Sequence, residues 1–593
     1  MNMKWSRFIL TSFLVIFSIS VVSLGAHAQT FDQCRVALSD GRFSEAEACW
    51  RKFTRTNPNN ADAYYYLGQS LRKWSQEFNV QDEEQKLDDA VEAYQKALQL
   101  SRNDYAWAWN GLANAFHYQD KSEEAIDAYR QALKSRNIPG PPTNAHMSAN
   151  CNLAQELEIQ GSKLNSTGRQ SDKEIAEQKF TEAIRHVKQG IKPDPQYPKF
   201  KQCWTVWGDV LSEQRNYQAA IEKYRQSLAL APENAYAYIM WGRALGALGR
   251  LDEAIDKYRQ ATQIRTKETE ALYAWAYVEW GEALWLQAQG ANPNYRQLKI
   301  SEAIEKYQKA LSSPVHRNKL PTYYAFAHHG LGLVYLELGD LETAKSEFGK
   351  ANEPHPFLDF VRSSYKEVDR LLQLKAGKQR LSVRSTEYLP PSNQTPIKRS
   401  VVRVIPRFWT RGFEHGTGWV IDRRQDRAWI VTNRHVIFDG ARDAEEIEIE
   451  PYYGNVPDTL IPDRLKARVV NKTLHDEYPD LAVLEVEFSD VPSDVQPFTI
   501  TSGNIRNNTA VSIVGNSDFS WRNGVIKEAS SNEIILEPVL TSGNSGSPVL
   551  NAQNQVTGLI YTTDPNETTG KHSYAHSVEL ITNTLKQWRI PKP

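Results

Sequence analysis

From about Phe31 to Pro356, apolar residues recur three and four apart, the spacing of one face of a helix; from Val401 onward they recur two apart, as in a half-buried strand. The helical half also repeats a set of small and aromatic positions. Trp204, Trp207, Gly208, Leu211, Ala220 and Tyr224, followed by Pro232, reappear after a shift of about 34 residues as Tyr238, Trp241, Gly242, Leu245, Ala254 and Tyr258. That set predicts a pair of antiparallel helices per unit. Gly or Ala lies where the two approach, and the aromatic fills the space towards the next unit. Further copies run through Trp109, Leu112, Ala113, Phe116, Ala125 and Tyr129, and through Leu331, Gly332, Tyr335, Ala344 and Phe348. Phe357, Val361, Tyr365, Val368 and Leu372 share one face of a last helix. After Leu374 the pattern breaks: Gly377, Pro390-Pro391 and Pro396 mark a linker or an extended arm. Short alternating runs such as Val401–Ile405, Gly418–Ile421, Ala428–Val431 and Leu481–Val486 then read as strands between turns.

The helical units resemble the tetratricopeptide repeat. About eight are expected within residues 29–356, with a capping helix at 357–376, a linker at 377–398 and a β domain at 399–593. Such a stack implies a concave face that binds a protein partner. Most of the Trp and Tyr residues occupy the repeat's own packing positions, so they read as core and not as a ligand groove. His328 and His329 are adjacent and cannot share a helix face, which argues against a metal pair. No cofactor or metal is expected.

The length, 593 residues, is too great for one core. Lys and Arg total 70 against 71 Asp and Glu, a balance that argues against nucleic acid as a partner. Lys4 and Arg7, the apolar stretch Phe8 to Leu24 and the small-x-small site Ala26-His27-Ala28 predict a signal peptide over 1–28 and export to the periplasm or the medium. The alternative is a retained membrane anchor. Four cysteines remain after export. Cys34 and Cys49 fall on the two helices of the first unit, and Cys151 and Cys203 on the first helices of adjacent units. An oxidising compartment allows bridges Cys34–Cys49 and Cys151–Cys203, the alternative being four buried thiols.

Peptide hydrolysis by serine needs a hydroxyl with a base beside it, a carboxylate that orients the base, and backbone donors for the oxyanion. The β domain offers one candidate for each. Ser545 lies in Gly543-Asn544-Ser545-Gly546-Ser547-Pro548, which resembles the bacterial form of the trypsin-like serine signature. His435 follows the strand Ile430-Val431-Thr432, with Gly416-Thr417-Gly418-Trp419 upstream. Asp480 opens the run Asp480-Leu481-Ala482-Val483-Leu484. The resemblance implies an all-α repeat solenoid followed by an all-β double barrel of the trypsin-like class. It also implies catalytic His435, Asp480 and Ser545, and an oxyanion hole from the N–H groups of Gly543 and Ser545. Asn544 replaces the acid that, in digestive members, pairs with a newly cut N-terminal amine, so that route of activation is not implied. Val539, Leu540, Gly558, Ile560 and Tyr561 would border the substrate pocket. They carry no charge, and an apolar or small residue before the cut bond is expected. The reading is an exported serine endopeptidase whose repeats recruit protein substrates or partners. Two alternatives remain at this point: a binding scaffold with a silent protease fold, and a holder of unfolded protein.

Overall fold

The computed structural model describes residues 31–590 except 77–81, 137–142, 167–169, 192–200, 265–269, 290, 313–320, 353–358, 383–384, 386, 391, 409, 425–426, 440–441, 475–477, 488–493, 502–504, 516–518, 538–539, 541–542 and 564–571. The expected signal peptide and Val539 lie outside the described residues. Among those described, no helix is long and apolar enough to cross a membrane. Two compact units make up the chain. The second contains everything from Glu233 onward together with 163–175 and 217–228, and the first contains the rest.

From Phe31 to Asn352 the described residues form sixteen helices in succession. Their starts are set locally: the Asn60 side chain accepts the Ala63 N–H at 3.0 Å, and Asn292 accepts that of Tyr295 at 3.0 Å. Such caps satisfy donors that the first turn leaves open. The glycines mark close approach. A Cβ on Gly68 or Gly111 would lie 2.9 or 2.4 Å from the Tyr94 ring, so one buried tyrosine is clasped by two successive first helices. Tyr307 sits in the same way between Gly281 and Gly330. In the first unit Cys34 is bonded to Cys49 and Cys151 to Cys203, with Cα–Cα separations of 5.4 and 5.0 Å.

In the second unit the capping helix, Asp359–Lys375, buries Val361 and Val368, the latter against Leu333, Ala344 and Phe348. Its other side meets the β domain. The Ser364 hydroxyl accepts the Phe413 N–H at 3.2 Å, and Ser363 Oγ lies 2.7 Å from His415 Nδ1. Gly412 fits closely there, since a Cβ would meet Ser364 Oγ at 2.3 Å and Leu333 at 3.0 Å. Arg464, with a side chain 5% exposed, pairs with Glu367 of the capping helix and Glu450 of the barrel, both at 2.8 Å. The segment expected as a linker or arm is an arm laid on the β domain. Gln379–Leu381 pairs in parallel with Leu460–Pro462, and the Asn455 N–H reaches Tyr388 O at 3.0 Å. Arg399, fully buried at its end, donates to Tyr452 O at 2.7 Å.

The β domain has strands β1 (Val401–Phe408), β2 (Gly416–Arg423), β3 (Arg427–Thr432), β4 (Glu446–Pro451), β5 (Leu465–Lys472), β6 (Ala482–Glu487), β7 (Ala510–Gly515), β8 (Ser520–Ala529), β9 (Glu533–Glu537), β10 (Pro548–Leu550), β11 (Val556–Thr563) and β12 (Ser573–Ser577). The first six close antiparallel in the order β1-β2-β3-β6-β5-β4, and the last six in the order β7-β8-β9-β12-β11-β10. The two barrels therefore share one connectivity. A core containing Trp419, Val431 and Leu481 from the first and Val514, Leu550 and Leu559 from the second fills the seam between them. Burial of this much apolar surface lets the domain dispense with cysteines.

Candidate active site

The register of β3 on β6 pairs Thr432 with Ala482. His435 follows β3 on a short 3-10 turn, Arg434–Val436, and Asp480 lies two residues ahead of β6, so both emerge at the same end of the paired strands. Asp480 Oδ1 accepts the His435 N–H at 3.0 Å, and Oδ2 forms a short hydrogen bond with His435 Nδ1. Asn433, buried, donates through Nδ2 to Asp480 O at 2.9 Å. The bond at Nδ1 turns the other ring nitrogen, Nε2, away from the carboxylate, and the His435 side chain stays 42% exposed. Burial alone would lower the basicity of His435, but Asp480, aided by Glu414, outweighs it and raises the ring above its ordinary value. Burial alone would raise the Asp480 carboxyl. The His435 ring overcomes that, with smaller contributions from His576 and Arg434, and holds the carboxyl well below the usual carboxylate range.

Ser545 lies on the loop entering β10, and this loop is bound to β2. The Thr417 N–H donates to Ser545 O at 2.8 Å and the Thr417 hydroxyl to Gly543 O at 2.8 Å. Gly543 and Gly546 both have φ of +89°, a region that favours glycine. At Gly546 there is also no room: a Cβ would stand 1.8 Å from Thr417 O and 2.7 Å from Thr432 Oγ1. Because Thr432 ends β3 three residues before His435, this contact brings the Ser545 loop to the strand end that carries the histidine. Beyond the loop, the Gly546 N–H donates to Ile560 O at 2.8 Å and the Ile560 N–H to Ser547 O at 2.9 Å, tying it to β11. Among the described residues the N–H groups of Gly543 and Ser545 have no acceptor within the chain. Two backbone donors half-exposed beside a hydroxyl have the form of an anion-stabilising pair. No hydrogen bond joins the Ser545 hydroxyl to the His435 ring among the described residues.

The expected pocket residues are mostly inside the second barrel. Leu540 (2% exposed) and Ile560 (0%) share a core with Val549 and Ala575, and the Leu540 N–H is bonded to Ser573 Oγ at 2.8 Å. Gly558 packs against His576 O, where a Cβ would come within 2.9 Å. Tyr561 stacks on His576, with ring centroids 4.2 Å apart and planes 11° apart.

His576 is the residue that sequence reasoning passed over. It is fully buried, and its Nε2 accepts the Asp480 N–H at 3.1 Å. Burial lowers its basicity to about 4 in spite of the nearby Asp480, so the ring is neutral at physiological pH. Nothing in the run Ser573–Ser577 signals this role. The contact spans 96 residues and exists because the seam brings β12 to Asp480. His328 Nδ1 bonds Glu347 Oε2 at 2.5 Å, and His329 packs on Phe348 and Phe360.

Comparison with known proteins covers both halves. Residues 416–559 match the family model of the trypsin-like peptidase domain. Residues 31–73, 82–137, 205–268 and 327–353 match models of the tetratricopeptide repeat. No protein of curated function matches. Two solved structures of the M. tuberculosis protease Rv3671c are similar. The first, an inactive form, is 19% identical over 32% of this chain and 89% of that one, with a TM-score of 0.25. The second, an inactive serine-to-alanine mutant of the H37Rv strain, is 18% identical over 35% of this chain and 99% of that one, with a TM-score of 0.26. The chain thus carries tetratricopeptide repeats and a trypsin-like peptidase domain.

Proposed function

We propose that this chain is an exported serine endopeptidase. His435 takes the proton from Ser545 as the hydroxyl attacks the carbonyl of the scissile bond, then returns it to the leaving amine. Asp480 fixes the ring tautomer and stabilises the imidazolium formed in between. The N–H groups of Gly543 and Ser545 receive the charge that develops on the carbonyl oxygen. The observation that carries this reading is the joint presence of the His435–Asp480 pair and two open N–H groups on the loop of Ser545. The repeats bring protein substrates or a protein partner to the peptidase domain. Export accounts for the predicted signal peptide and for two disulfides, which persist in oxidising compartments. N-terminal sequencing of the exported protein is expected to start at Gln29, and a sequence starting at Met1 would mean a retained anchor.

One observation favours a second reading. With no hydrogen bond between Ser545 and His435, the domain would be a silent fold on a binding scaffold, although in unliganded enzymes this bond is often long. A fluorophosphonate probe separates the two. Covalent labelling that disappears in Ser545→Ala supports the peptidase, and no labelling of folded protein supports the scaffold.

A further inference from the structure

Asp480 is held at every polar atom. Its carbonyl accepts from Asn433, one carboxylate oxygen accepts the His435 N–H and the other bonds the His435 ring. These three contacts come from the first barrel, from residues that follow β3. The fourth, at its N–H, is to His576 on β12 of the second barrel. We propose that His576 is a positioning residue that ties the Asp480–His435 pair to the barrel carrying Ser545. This rests on the reading of His435, Asp480 and Ser545 as the reacting set.

The geometry makes a closed path. The His576 ring grips Asp480 N–H, and on β12 the same residue pairs in register with Leu559 of β11. The next residue, Ile560, exchanges hydrogen bonds with Gly546 and Ser547, the two residues after Ser545. The catalytic histidine and serine arise on different barrels, so their separation depends on how the barrels meet. The Thr417 bonds to Gly543 and Ser545 fix that meeting on the side of the serine loop, and His576 fixes it on the side of the acid. The ring has little freedom: Tyr561 covers its face and Tyr478 meets it edge-on at 5.1 Å. An acceptor at Nε2 places the proton of the neutral ring on Nδ1, which is buried without a partner among the described residues. Leaving a donor unpaired is costly. The seam tolerates it, and the bond to Asp480 is the return that the ring makes.

The test is the second-order rate of fluorophosphonate labelling of the full chain as a function of pH, with two variants. His576→Phe keeps the stack on Tyr561 and has no acceptor; His576→Gln keeps an acceptor. The phenylalanine variant is expected to label on the order of 10- to 100-fold more slowly, the scale of a small misplacement of reacting groups. The glutamine variant is expected to recover most of that loss. A second readout is the pH at which the rate rises. Asp480, Glu414 and Arg434 face His435, and Asp480 is the main group raising it, so a displaced Asp480 moves that midpoint to lower pH. Labelling of the phenylalanine variant at the wild-type rate overturns the proposal. So does an equal loss in both variants with an unmoved midpoint, which is what general loosening gives. If the phenylalanine variant does not fold, the glutamine variant decides: a wild-type rate and midpoint support the proposal, and a large loss overturns it. Absence of labelling in the wild-type protein overturns the catalytic reading, and this proposal with it.

Discussion

Replacing Glu367 by Gln removes one charge from the contact between the capping helix and the barrel. Glu367 and Arg464 have side chains 4% and 5% exposed and lie 2.8 Å apart, and Glu367 also binds Arg370 at 3.0 Å. Burial by itself would lower the basicity of Arg464; Glu367 and Glu450 more than restore it. The glutamine leaves Arg464 with Glu450 and the half-exposed Glu448, and leaves Arg370 without its bridge to Glu367. Breaking a buried pair from one side costs about 3–5 kcal/mol. With an unfolding entropy of about 2.1 cal/mol/K per residue, each kcal/mol lowers the melting temperature of a unit of about 390 residues by roughly 1.2 °C, so a fall of about 4–6 °C is expected. The assay is thermal unfolding of the full chain by circular dichroism, with fluorophosphonate labelling followed in parallel. Labelling is expected to fall at the same temperature as the β signal, because Ser363 and Ser364 hold Phe413 and His415 just ahead of the strand that clamps the Ser545 loop. Adding Arg464→Met to Glu367→Gln should recover part of the loss, as buried ion pairs replaced on both sides often do. A shift below about 2 °C is the behaviour of an exposed pair and would refute the docking of the helix.

Other expectations follow from the same geometry. Gly546→Ala meets both a left-handed backbone and the Thr417 carbonyl at 1.8 Å, so it should abolish labelling while the repeats keep their helical signal; undiminished labelling would contradict the loop geometry. Because His435 acts as base only when neutral, and Asp480 raises it, labelling should fall as pH drops through a midpoint above the ordinary value near 6.5; a midpoint below it would remove Asp480 as partner. Asp480→Asn should cut the rate by about 10⁴-fold, the scale known for this exchange in a serine triad. Thiol titration of the denatured exported protein should find no free group until a reductant is added, and opening the Cys34–Cys49 loop should cost roughly 3 kcal/mol in the chain-entropy account.

The repeats were legible because their signal is local. Tyr94 and Tyr307 are each clasped by two glycines, and Gly242 meets Tyr258 in the same way within one unit. His435 and Ser545 were legible for a similar reason, since the turn after β3 and the loop before β10 each need particular residues in a row. Asp480 was readable because the strand it precedes is a continuous apolar run. What the chain does not announce is contact between distant elements. His576 meets Asp480 through the seam of two barrels, and Gly412 meets Ser364 through docking of the capping helix. The proline-marked stretch after Leu374 reads as punctuation, yet Gln379–Leu381 finds a strand partner some eighty positions away. Leu540 and Ile560, read as pocket neighbours, share a core: Ile560 lies on β11, and Leu540, outside the strands, is bonded to Ser573 of β12.

The central claim is that Ser545 is a nucleophile activated by His435. Full-length protein treated with a fluorophosphonate, digested and analysed by mass spectrometry is expected to carry one adduct, on Ser545. The adduct should be absent in Ser545→Ala and strongly reduced in His435→Ala. Folded protein that carries no adduct, or one that persists when either residue is replaced, would contradict it.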